Sequence, residues 1–309
     1  MGGDVGAWDE VSHIRGSDFG LAFGADADPV KETAMKYNRI ASGLVLTCLL
    51  SASSYAQPLF YVSATTGSDE TGLGTMEAPW ATIGHAISEV EAGMIGSATL
   101  MVAGGRYIES ILIPDGMSVI GRLDAATWQY HPDMPESYVE GLTECQGSSD
   151  LRRMFFSVAA EEFSRGIVCS GEANVRLREC KFGWNSPPNG EAGGGLWVKD
   201  FASAYVWDST IERNGSPGGY IIRGGGLALD TSGDVHLERC VLRSNGARNS
   251  EGGAIYAKRG TLVCRDCVFT HNGAAYGSSI YEDGEASVTL INCRFTDNAV
   301  EGPWGYGWD

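Results

Sequence analysis

The chain has 309 residues, and 22 Lys and Arg stand against 39 Asp and Glu, a formal net charge of −17. So acidic a chain, with no Lys/Arg cluster, is excluded from the nucleic-acid binders, which need a basic patch. The 43 glycines are about twice the usual share, proline is scarce and no Gly-X-Y period is present, so collagen is excluded and many tight turns between short strands are expected.

The first 34 residues are Gly- and Asp-rich and without periodicity, and read as a non-native upstream extension. Residues 35–56 read as a secretory signal peptide: Lys36 and Arg39 supply the positive region and 40–50 the apolar run. Ser54 and Ala56 occupy the −3 and −1 positions of a cleavage site. The apolar run is too short to span a bilayer, which takes about 20 residues, so no transmembrane helix is expected in the mature chain. Export to the surface or surroundings of a bacterium is the expected address. Eight cysteines fall to seven once Cys48 is removed with the leader, an odd number that full pairing cannot accommodate.

Residues 57–123 predict an N-terminal cap and first coils. It opens on residues 60–83, FYVSATTGSDETGLGTMEAPWATI. Ile83, Ala86, Ile87 and Val90 have helical spacing near 80–92, and 98–121 contains three short alternating runs broken by Gly and Pro. The stretch 124–165, with Trp128, Tyr130 and Tyr138, lacks any period and reads as an irregular insertion.

From 166 to the end a repeat takes over. Residues 175–185 (VRLRECKFGWN), 204–214 (AYVWDSTIERN), 235–245 (VHLERCVLRSN), 262–272 (LVCRDCVFTHN) and 288–298 (VTLINCRFTDN) share one frame: apolar-x-apolar-x-x-Cys-x-apolar-x-x-Asn. Its closing residues, Asn185, Asn214, Asn245, Asn272 and Asn298, are 29, 31, 27 and 26 apart. Ahead of four frames stand GGGLW (193–197), GGGLA (224–228), GGAIY (252–256) and GSSIY (277–281). Runs this short cannot form a core alone, whereas coiling the chain stacks each run on its equivalent at about 4.8 Å. Three interior rows are predicted: Leu196, Leu227, Ile255 and Ile280; Cys180, Ser209, Cys240, Cys267 and Cys293; Phe182, Ile211, Leu242, Phe269 and Phe295. The five Asn residues should form a ladder at a bend, in the left-handed conformation that Asn tolerates, each amide bonding its equivalent one coil away.

If Leu196, Ile255 and Ile280 point inward, Trp197, Tyr256 and Tyr281 point outward, a row on which sugar rings could stack. The next outward positions, Lys199, Asp230, Lys258 and Asp283, alternate in sign and can pair between coils. These seven are the candidate ligand-binding residues. Cys264 and Cys267, with His271, have the spacing of half a zinc or redox site, but there is no second pair and both thiols fall on inward positions. No metal and no cofactor is assigned. No catalytic residue is assigned either: Asp208, Glu212, Asp230, Asp234 and Glu238 are expected to be solvated.

The alternation of GGAIY with FTHN (269–272) resembles the repeat of chlamydial polymorphic outer-membrane proteins. More broadly, the chain resembles right-handed parallel β-helix proteins of the pectin-lyase-like class, over about 166–298. The resemblance implies an all-β, single-stranded right-handed solenoid whose first coil is plugged by a small helix. It implies a monomeric surface scaffold or adhesin whose partner is an extracellular polysaccharide or another cell-surface component. The alternative it carries is a polysaccharide lyase or glycosidase, and Ca²⁺ would enter only there. Polymorphic-repeat proteins usually carry a membrane barrel; its lack here reads as a fragment or as another mode of attachment.

Overall fold

The computed structural model describes residues 57–158, 164–215 and 221–300. The extension 1–34 and the leader 35–56 lie outside the described residues. Those described form a right-handed parallel β-helix: a 13-stranded, an 8-stranded and a 3-stranded sheet, every strand pair parallel.

Each coil visits three faces. The first face holds Ile111–Ile113, Thr143–Cys145, Ile167–Cys169 and Leu196–Asp200. The second holds Leu59–Val62, Ala98–Ala103, Met117–Leu123, Ser149–Arg152, Asn174–Arg178 and Ser203–Trp207. Leu227–Glu238, Ile255–Arg265 and Ile280–Ile291 run unbroken across both, so the first two faces merge into one sheet. The third face runs from Gly105–Tyr107 to Arg294–Thr296.

The three predicted rows are in register. Leu196 pairs with Leu227, Leu227 with Ile255 and Ile255 with Ile280. The neighbouring pairs on the third face align Phe182, Ile211, Leu242, Phe269 and Phe295, and the cysteine row just before them. Identical rings stack along the axis, Phe269 on Phe295 at 4.7 Å and 5°. The cysteine row is held at the corner: Cys240 and Cys267 direct their thiols at the carbonyls of Glu238 and Arg265, two residues back.

The Asn ladder is present, but its conformation differs from the expectation. None of Asn185, Asn214, Asn245, Asn272 and Asn298 is left-handed. The left-handed residue is the one before each: Trp184, Arg213, Ser244, His271 and Asp297, with φ of 53–57°. A second left-handed corner stands between the second and third faces, at Arg153, Glu179, Asp208, Arg239, Asp266 and Asn292. The bend is made one residue early because the Asn side chain is needed inside. Asn214 donates its backbone N–H (3.1 Å) and an Nδ2–H (3.0 Å) to Asn245 Oδ1, and its other Nδ2–H to the Phe182 carbonyl (3.0 Å). Asn214, Asn245 and Asn272 thus each tie their coil to the coils on both sides and leave no amide donor unpaired.

Asn185 departs from that pattern on one side. It donates forward like the others, from its backbone N–H (3.1 Å) and Nδ2 (2.8 Å) to Asn214 Oδ1, and back from Nδ2 to the Phe156 carbonyl (3.2 Å). Its own Oδ1 is buried and has no hydrogen-bond partner among the described residues. The coil before it bears no Asn in the matching place, so the side-chain Nδ2 donor that every later Oδ1 receives is missing. Asn185 is therefore the start of the ladder and only half of a rung.

The helix covers Ile83–Ala92 and buries the four predicted residues, Ile83, Ala86, Ile87 and Val90. Thr82 is its N-cap. The Glu109 carboxylate takes the N–H groups of Ile83 (2.9 Å) and Gly84 (2.7 Å), and Asp69 those of Ala81 and Thr82. Two carboxylates at the positive end of the helix pin this cap onto the first coil.

The stretch 124–165 is not an irregular insertion. Ser137–Glu140, Thr143–Cys145, Ser149–Arg152 and Met154–Ser157 are ladder strands. They carry neither the Gly-Gly nor the Asn signature: Met154 stands where the repeat has its cysteine, while Phe156 pairs with Phe182 and continues its row. The excursion at 124–136 packs Trp128 under Tyr61 and Leu123 as a satellite cluster.

Candidate binding faces

The predicted aromatic row exists, and its geometry defeats its expected use. Trp197, Ala228, Tyr256 and Tyr281 are consecutive partners on the outside of the first face. Tyr256 is only 4% exposed and donates its hydroxyl to Asp283 (2.7 Å). Burial and the Asp283 charge push its phenol well above the usual range. Tyr256 and Tyr281 lie parallel, 5.9 Å apart at 6°, so their faces meet each other. The Trp197 ring has Arg165 at 4.4 Å and Lys199 at 5.0 Å over it. In-register stacking occupies the faces on which a sugar would lie.

The charged row is also altered. Lys258 pairs with Asp230 (2.8 Å) as expected, but Arg259 joins it at 3.3 Å. A bulge after Ala257 puts Arg259, rather than Lys258, opposite Asp230. Asp283 goes to Tyr256. Cys264 and Cys267 are buried in the core, whereas His271 stands outside beside Thr270, so the three do not converge. Burial pushes the Cys180 thiol up to about 12, and a bond to Cys267 together with burial pushes that of Cys264 higher still, which keeps both protonated. Among the described residues, no group of three or more His, Cys, Asp or Glu is arranged to hold a metal.

Glu212 is not solvated. It lies on the third face with its side chain 4% exposed, between Lys181 (3.2 Å) and Arg243, whose Nε reaches Oε2 at 2.5 Å. Burial would raise its pKa. The bonds from Arg243 and Lys181 outweigh that and hold it below the usual carboxylate range. Its contribution is therefore present above the unfolded value of about 4.3 and lost as pH falls through the depressed folded value. Glu212→Gln should cost about 2 kcal/mol at pH 7, because two cations lose their partner, and nearly nothing once pH is well below the folded value. Thermal melts of both proteins at neutral and strongly acid pH check this; equal gaps at both would refute the sign.

The outer surface of the second face holds residues the repeat frame leaves unassigned. Two columns run along it. One is Ser118, Asp150, Arg176, Tyr205 and His236; the other is Arg152, Arg178, Trp207 and Glu238. They occupy the x positions of the apolar-x-apolar frame (R-x-R at 176/178, Y-x-W at 205/207, H-x-E at 236/238), a signal readable in the sequence. Tyr205 stacks on His236 at 5.0 Å and 11°, and lies 5.9 Å and 15° from Trp207. Arg178 lies over Trp207 at 4.8 Å. Parallel rings at this spacing turn their faces to one another and their polar edges outward, so this ridge offers hydrogen-bonding groups rather than a flat platform. Asp150 is clamped by Arg152 (3.0 and 2.6 Å) and Asp208 by Arg239 (2.7 and 3.0 Å). Arg176 takes part in neither pair and is exposed. At the N-terminal end of the columns, Gln57, Ser118, Ser148, Asp150, Asn174 and Arg176 line a pocket of about 280 Å³.

Residues 160–309 match a family model described as a right-handed beta helix region. Among solved structures, the chain is similar to Escherichia coli YbhC, with TM-score 0.41 and 13% identity over 78% of this chain and 85% of that one. It is also similar to a GH136 lacto-N-biosidase from Eubacterium ramulus, with TM-score 0.29 and 9% identity over 87% and 72%. Both likenesses are too distant to bear on activity. No curated protein matches the chain in sequence.

Proposed function

We propose that this right-handed parallel β-helix is an exported surface scaffold that binds acidic polysaccharide along the outside of its second face. The observation that supports it is the ridge of Tyr205, Trp207 and His236 edges flanked by Arg176 and Arg178. Phenol, indole and guanidinium groups match a ligand rich in oxygen acceptors, and carboxylates on the ligand match the arginines. The strand bearing Arg176 and Arg178 is a basic strip on a chain of net charge −17, which disfavours long polyanions such as nucleic acid while leaving that strip able to attract an acidic glycan. Export rests on the leader at 35–56. No helix among the described residues is long and apolar enough to cross a membrane.

The test is binding of the purified chain to immobilised pectate and alginate, with cellulose as the neutral control. The Tyr205→Ala/Trp207→Ala pair should weaken acidic-glycan binding at least tenfold, which is about 1.4 kcal/mol. Trp197→Ala, on the first face, should leave it within about twofold. Undiminished binding by the double variant would move the site elsewhere. Release of unsaturated or reducing sugar ends by the native chain would replace a scaffold with an enzyme.

A further inference from the structure

The pocket at the N-terminal end of the binding face is lined in part by Gln57, the residue directly after the expected cleavage site at Ala56. Gln57 is held in place: its Oε1 accepts from Thr99 Oγ1 (3.1 Å), and the next carbonyl, of Pro58, accepts the Thr99 N–H (2.9 Å). Strand register pairs Leu59, two residues beyond Gln57, with Thr99, and Thr99, Ser118, Asp150 and Arg176 follow one another on successive strands. Gln57 and Arg176 therefore come from the first and the last of the coils that contribute to its lining. The carboxylates near the pocket are already engaged. Asp150 is clamped by Arg152, and Asp115 accepts the Ser148 N–H at 2.7 Å. Arg176 is the lining cation with no ion-pair partner among the described residues.

In the uncleaved chain the α-nitrogen of Gln57 is a neutral peptide amide. Hydrolysis of the Ala56–Gln57 bond by a signal peptidase adds water across it. Ala56 leaves as a carboxylate, and Gln57 gains an amine that is protonated at neutral pH. We propose that this cleavage completes the pocket: the new Gln57 ammonium at one end and Arg176 at the other bind an acidic disaccharide unit, one anionic group to each. The inference rests on the export and second-face binding proposed above, and names what the end of that face recognises. It makes the site a product of maturation, so the precursor binds poorly before it leaves the cell. The ammonium has an ordinary pKa of about 8, and the protonated form binds, so the gain from cleavage should fade as pH rises past that value. A free N-terminal Gln also cyclises to pyroglutamate with loss of ammonia, which discards the charge and switches the end subsite off.

The test uses the full chain with a sequence-specific protease site in place of residues 51–56, cutting directly before Gln57. Calorimetric titration with digalacturonate, a sulfated disaccharide and cellobiose is run before cleavage, after cleavage, and after enzymatic cyclisation of Gln57. Cleavage should tighten the acidic disaccharides about tenfold at a pH roughly 1.5 below the ammonium value and by less than about twofold at a pH as far above it. Cyclisation should return the affinity to its starting value, and cellobiose should not respond. The two acidic probes distinguish a carboxylate from a sulfate preference. Arg176→Ala should weaken acidic binding in both the cleaved and uncleaved forms. Equal affinity before and after cleavage, or no acidic disaccharide binding in any form, would overturn the inference. Polysaccharide binding through Tyr205 and Trp207 would still stand in that event, so the two proposals fail separately.

Discussion

Gly246→Ala should lower stability by more than about 4 kcal/mol and the melting temperature by about 10 °C or more, given the usual 2–4 °C per kcal/mol at this size. Gly246 follows a ladder Asn and has φ of +146°, a region that L side chains rarely adopt. A Cβ there would lie 1.7 Å from the Gly273 carbonyl oxygen and 2.8 Å from its carbon. Both are backbone atoms of the next coil, so no rotamer change relieves the clash. The coils must separate, and with them go the Gly246 N–H to Asn214 carbonyl and Gly273 N–H to Asn245 carbonyl bonds, both 2.9 Å. Gly284→Ala is the control. Its φ is also positive, at +81°, but nothing lies within 4 Å, so only the left-handed cost of about 1 kcal/mol applies. Thermal melts of the two variants should differ severalfold in shift; equal shifts would show that coil contact at Gly246 is not tight.

Asn245→Leu should cost about 4 kcal/mol although the heavy-atom branching is kept, because leucine strands buried polar groups where no water reaches, at about 1–3 kcal/mol for each one left unpaired. Asn245 is fully buried. Its Oδ1 accepts from Asn214 N (3.1 Å) and Nδ2 (3.0 Å), and its Nδ2 donates to Asn272 Oδ1 (3.0 Å) and the Ile211 carbonyl (2.8 Å). The two ends of the ladder should be cheaper to replace. Asn298, half-buried in the last described coil, accepts from Asn272 and donates to the Phe269 carbonyl. Asn185, at the first rung, receives nothing at its Oδ1 from the described residues. Asn298→Leu and Asn185→Leu should therefore each cost about half as much as the central change. Denaturant titration of the three variants checks the order, and an equal loss would mean the bonds do not add along the axis.

The interior was readable because its signal is repeated. Inward positions must accept a near-copy of themselves above and below, so Leu196, Leu227, Ile255 and Ile280, or Phe182 and Phe269, recur in type and spacing. The stretch 137–157 carries little of that signal, because Met154 fills the place of the cysteine and no Asn marks its bend, although Phe156 continues the row of Phe182. That same difference deprives the Asn185 oxygen of the side-chain donor that the later rungs receive, a consequence invisible in a motif that Asn185 matches in full. The second-face ridge was written in the x positions of the repeat, where residue type is free to vary and recurrence says nothing. Position alone did not distinguish Tyr256, 4% exposed with its hydroxyl given to Asp283, from Tyr205 and Trp207, which are only partly buried.

The sequence by itself determined that the chain coils, where each coil begins, and which side chains pile up inside, since parallel in-register stacking rewards like on like at a fixed spacing. Only the tertiary structure decided which outer columns remain available. The surroundings of an outward residue come from the coils above and below and from the connecting segments, 26–31 residues away along the chain and only one strand away in space. For that reason Glu212 lies buried between two cations, the residue before each ladder Asn carries the left-handed bend, and Gln57 comes to line a pocket with Arg176.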